Sequence, residues 1–129
     1  MPDQRGVSMS VFACGAILVL LIMAGLLVDG AAQLMARQRV EDSAAQVARF
    51  AMDAAAPYMV DGQNAGPAAL AAASKAAKRH TDLSFEFMFD ATGALHVSAT
   101  KTVPTQFLCL IGIKSLQVRG QAIAIVFQP

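Results

Sequence analysis

The sequence predicts an α+β protein: a long N-terminal helix, transmembrane in its first half and amphipathic in its second, then a short helix and a three-stranded antiparallel sheet. Three observations predict it. Gly6 to Val28 is a run of 23 residues without a charge. Good helix formers continue beyond it without a Gly or Pro breaker pair, as far as Pro57. Past Asp82 the apolar period changes from that of a helix to the two-residue alternation of a strand. Composition agrees, because 56% hydrophobic and 15% charged residues in a 129-residue chain exceed what one small soluble core holds. With 26 alanines and only 6% aromatic residues, the surplus consists of small side chains suited to close helix packing.

The charge-free run is framed by Arg5 and Asp29. As a helix it would be about 35 Å long against a hydrocarbon core of about 30 Å, the length of a membrane span. A cleaved signal peptide fits less well, since its apolar region is typically about 7–15 residues long. A core helix apolar on every side would need more protein around it than this chain supplies. The expected organisation is a tail over 1–6, a span over 7–29, a continuing helix over 30–56 and a small α+β domain over 57–129. Arg5 and Asp29 are the boundary residues. Asp29 either marks the outer interface or lies slightly inside the span, paired with a cation on a neighbouring helix.

In the continuing helix, Val40, Ala44, Val47, Ala51 and Ala54 follow a 4,3,4,3 spacing and form one apolar stripe, with Arg37, Glu41, Arg49 and Asp53 off it. Such a stripe packs either on the chain's own C-terminal domain or on neighbouring subunits, which makes these five residues candidates for a partner interface. The segment 61–67 has loop composition, and Pro67 suits the first turn of a second helix running to about His80. Lys75, Lys78, Arg79 and His80 then gather at a helix C-terminus, a position the helix dipole favours for cations.

Leu83, Phe85, Phe87 and Phe89 alternate with Ser84, Glu86 and Met88, predicting a strand with one aromatic face buried. Asp90-Ala91-Thr92-Gly93 is a turn, and Leu95, Val97, Ala99 and Val103 continue the pattern in a return strand that Pro104 breaks. A compact apolar segment from Phe107 to Ile113 leads to a third run, Leu116 to Phe127. That run has Leu116, Val118, Ala122 and Ala124 on one face, Ile123 and Ile125 on the other, and Gly120 as a bulge.

The residues do not point to catalysis. His80 and His96 sit in different elements without metal-ligand spacing, the serines lack a nucleophile elbow, and the glycines form no phosphate-binding loop. Cys14 and Cys109 lie in apolar runs and read as small hydrophobes. A net charge of +1 gives no attraction for nucleic acid. Neither a catalytic residue, a cofactor, a metal nor a small-molecule substrate is therefore expected.

The order of these parts resembles the TadE/TadG-like proteins of actinobacterial tight-adherence (Tad) pilus systems. The resemblance rests on Arg5-Gly6 before the span, Gly25-Leu26-Leu27-Val28-Asp29-Gly30 at its end, and Ala36-Arg37-Gln38-Arg39 opening an alanine-rich helix. It extends to Val103 to Ile113 followed by Leu116 to Ala122. The resemblance implies a structural minor pilin-like subunit or assembly factor, anchored in the bacterial cytoplasmic membrane by a single pass, N-terminus inside and C-terminal domain outside. Its implied partners are pilus or secretion-platform proteins, other pilin-like subunits and membrane lipid. A membrane-tethered extracytoplasmic binding module and, behind it, a secreted small enzyme are the competing expectations.

Overall fold

The computed structural model describes residues 4–126. One helix, α1 (Gln4–Val60), runs for 57 residues, about 85 Å at 1.5 Å per residue. It begins inside the segment expected to be a tail and joins the apolar run to the amphipathic half without interruption. By length and composition α1 can cross a membrane, and the side chains from Val7 to Met23 are exposed all round it.

Pro57 does not end the helix, contrary to the sequence expectation. A proline forfeits one backbone hydrogen bond and crowds the preceding turn, but here only one turn follows, and Met59 in that turn packs on the core. The helix ends instead at Gly62, whose φ of +68° is costly for any side chain with a Cβ. The Gly62 N–H donates to the Met59 carbonyl at 3.2 Å and the Gln63 N–H to the Tyr58 carbonyl at 2.8 Å, the paired bonds of a Schellman cap.

A short loop leads to α2 (Gly66–Ala77), with Pro67 in its first turn as expected and its end three residues before His80. Gly66, Ala69, Ala73 and Ala76 form its buried stripe, so α2 lies close on the C-terminal part of α1 through small side chains. Lys75, Lys78 and Arg79 are exposed beyond that stripe, and the Arg79 guanidinium sits 5.4 Å above the Phe50 ring.

The sheet consists of β1 (Ser84–Phe89), β2 (Leu95–Pro104) and β3 (Ser115–Ala124), antiparallel in the order β1-β2-β3. Leu95, Val97 and Ala99 of β2 and Val118 and Ala124 of β3 form the face that α1 covers, and Val126 joins them just past β3. The aromatic face of β1 is only half-buried at Phe85 and Phe87 and open at Phe89, because β1 is an edge strand that α1 does not cover. Phe127, the expected end of the third run, lies outside the described residues.

Gly120 is not a bulge. The β2–β3 register runs unbroken through Ala99↔Gly120 and Thr100↔Arg119. Its role is the close approach of α1, since a Cβ there would lie 2.6 Å from the Glu41 backbone nitrogen and 2.8 Å from the Val40 carbonyl carbon. The helix crosses the sheet on bare backbone at this point.

This crossing decides where the apolar stripe goes. Val40, Ala44, Val47 and Ala51 are all at most 1% exposed inside the chain's own core. Ala54 is only half-buried, because α2 also covers this end of α1 and draws Ala48 and Ala55 into the core. The stripe is therefore consumed within the chain and offers no free face to a partner. Arg37, Glu41, Arg49 and Asp53 are exposed, and Arg37 and Glu41 form an i,i+4 pair at 3.1 Å. Val47→Glu should accordingly destabilise the domain by more than about 3 kcal/mol, since it buries an unpaired carboxylate. Arg49→Glu on the exposed side should stay within about 0.5 kcal/mol of the parent. Chemical denaturation of the two variants in detergent measures the difference.

Candidate functional site

The feature that binds the apolar half of α1 to the C-terminal domain is built on Asp29. After β2 the chain makes a loop closed at its base by the Thr105 N–H donating to the Lys114 carbonyl at 3.1 Å and by the Thr105 hydroxyl donating to the Ile113 carbonyl. At its tip is a 3-10 turn, Leu108–Ile111. Gly112 ends that turn with φ +95°, its N–H donating to Cys109 and the Ile113 N–H donating to Leu108, a second Schellman cap with apolar residues at both flanking positions.

The N–H groups entering a helical turn have no partner within it. Asp29 supplies that partner from across the fold. Its Oδ1 accepts from the Gln106 N–H at 3.0 Å, and its Oδ2 accepts from Phe107 at 3.0 Å and Leu108 at 2.8 Å. Only 6% of Asp29 is exposed. Its charge is thus held by three charge-assisted hydrogen bonds to the chain's own backbone. Arg5, the other boundary residue, is exposed near the start of α1.

Gly25, one turn before Asp29, completes the clasp. Phe107 occupies the space a Cβ at Gly25 would take, with two ring carbons 2.9 Å from that position. Leu18, Ile22, Gly25 and Asp29 recur at i, i+4, i+7 and i+11 and so share one helix face. Along this face α1 and the residues Phe107, Leu108, Leu110 and Ile111 line a groove of about 490 Å³. Its walls are hydrocarbon.

Sequence reading recovered Asp29 as a position of interest but missed its partners, which lie 77 to 79 residues away with no pattern linking them to it. The Gly25-x-x-x-Asp29 spacing was the one local hint that this face receives something at close range. Cys14 and Cys109, expected as small hydrophobes, are both free and exposed, and the Cys109 thiol donates to the Gln106 carbonyl.

The remaining polar groupings are surface pairs. Lys101 lies 3.1 Å from Asp82 and holds its carboxyl below the ordinary carboxylate range. Asp90 is held low in the same sense, first by the Ala91 N–H and then by His96 and Thr92. Arg119 reaches Ser98 at 3.3 Å and Glu86 at 4.0 Å on the exposed face of the sheet. None of these pairs sets a nucleophile beside a base in a closed cavity.

Comparison of the chain with models of known protein families, with curated proteins and with solved structures finds no match.

Proposed function

We propose that this chain is a structural, non-enzymatic subunit or assembly factor of a Tad-type pilus or secretion apparatus, held in the bacterial cytoplasmic membrane by a single pass. The N-terminus is inside and the α+β domain outside. The observation that carries the reading is the division of α1: one unbroken helix is apolar and exposed on all sides from Val7 to Met23, then becomes the buried spine of a small domain. A helix apolar all round suits lipid or other membrane helices, and a rigid continuation transmits any movement of the span directly to the domain. The order of motifs shared with TadE/TadG-like proteins supports the choice of apparatus. The orientation rests on that resemblance.

With the Val40 stripe inside the domain, contacts to pilin-like subunits or platform proteins fall to other surfaces. The exposed apolar side of the span and the neighbouring Leu34 and Met35, 58% and 59% exposed, are among the surfaces left for them. Deleting the gene should abolish or sharply reduce surface filaments, and a copy of the wild-type gene should restore them. Filaments of normal number and length on the deletion strain would overturn the assignment.

A further inference from the structure

We propose that the loop from Phe107 to Ile113 is a second membrane-embedded element, inserted beside α1 into the lipid leaflet on the side of the C-terminal domain. The proposal rests on the reading of α1 as a membrane span and adds to it that the β2–β3 connection also enters the bilayer. Its occupant is lipid.

Three observations support it. The first is depth. From Asp29 back to Leu18 the helix descends about 16 Å at 1.5 Å per residue, and Leu110 and Ile111 line the same groove as Leu18, Leu21 and Ile22. A span over residues 7–28 therefore takes this loop down with it into the hydrocarbon. The second is surface character. Between Pro104 and Lys114 the chain has no charge, while Leu110 and Ile111 are 82% and 72% exposed and continue the exposed apolar surface of the span. Water is a poor solvent for such a loop tip, and acyl chains reach it from the sides of the helix.

The third is backbone accounting. Non-helical backbone is tolerated at membrane depth only where its polar groups are paired within the protein. Here most of the segment's donors are paired: the N–H groups of Gln106, Phe107 and Leu108 are taken by Asp29, and those of Thr105, Leu110, Gly112 and Ile113 by backbone carbonyls of the loop and of Lys114 at its base. The Gln106 carbonyl accepts from the Cys109 thiol. Lys114, at the end of the segment, has the long stem that lets an ammonium reach the headgroups.

The chain contains no tryptophan, so a single introduced indole reports one position. Full-length Leu110→Trp, Leu20→Trp and Met88→Trp proteins are reconstituted in phosphatidylcholine vesicles in which part of the lipid is brominated at mid-chain. Met88 is an exposed position on β1 and serves as the aqueous reference. The expected result is several-fold stronger quenching and bluer emission at positions 110 and 20 than at 88. Quenching at 20 but not at 110 overturns the loop insertion while leaving the span intact, including the case in which a second copy covers the groove. Quenching at neither position removes the span and the insertion together. Ile111→Asp in the Leu110→Trp protein guards against a perturbation by the probe: it should shift the emission red and lower the quenching at 110. An unchanged spectrum overturns the proposal.

Discussion

Gly120→Ala should destabilise the domain by about 1–3 kcal/mol, the usual range for overpacking, and Gly120→Val by more. A new Cβ would stand 2.6 Å from the Glu41 nitrogen and 2.8 Å from its Cα. Both are main-chain atoms of a helix that cannot rotate aside as a side chain can. Helix and sheet must therefore separate, and with them go the contacts of Val40 and Ala44 on β2 and β3, the centre of the core. For a domain of this size about 1 kcal/mol corresponds to roughly 4–8 °C, so alanine alone should lower the melting temperature in detergent by an amount easily seen. Gly30→Ala is the matched control. Gly30 is exposed on the same helix with nothing near its prospective Cβ, and its replacement should be neutral or stabilising.

Asp29→Ala should release the 106–113 loop. Three backbone N–H groups lose their acceptor at once, and each unsatisfied buried donor costs about 1–3 kcal/mol. The losses are not additive because the loop will relax, so a net cost of about 2–4 kcal/mol is expected, equivalent to roughly a 30- to 1,000-fold change in the local opening equilibrium. Hydrogen exchange at Gln106, Phe107 and Leu108 reads that change directly. Asp29→Asn should fall between the two, because an amide keeps one acceptor oxygen but turns a second donor group toward donors. Unchanged protection of the three amides in Asp29→Ala would show that the carboxylate does not hold the loop.

Periodicity made most of the architecture legible from sequence. The two-residue period placed the hairpin and β3 within a few residues of where they lie, loop composition with Pro67 placed α2, and the uninterrupted run of helix formers predicted a single long helix. The misreadings occur where one residue's meaning depends on what lies across the fold. Pro57 looks like a helix stop, but within the last turn it costs little, and Gly62 stops the helix instead. Gly120 reads as a bulge within its own strand and is in fact the crossing point of a helix 80 residues earlier in the chain. The Val40 stripe is apolar for its own sheet, and no pattern within a helix distinguishes that from an interface.

The site shows the same boundary. Asp29 stood out because a carboxylate next to a span is costly, yet its three donors are main-chain groups of a segment that reads only as compact and apolar. Backbone donors have no letter in the sequence, so a side chain that caps a remote loop is invisible until the loop is seen beside it.

On the reading proposed above, the first half of α1 spans a membrane and anchors everything after it. Extraction of native membranes with alkaline carbonate tests this most directly, because it strips peripheral proteins and leaves integral ones. Full-length protein is expected in the pellet, released only by detergent, since the apolar surface from Gly6 to Val28 makes transfer to water unfavourable. Full-length protein in the carbonate supernatant would contradict it.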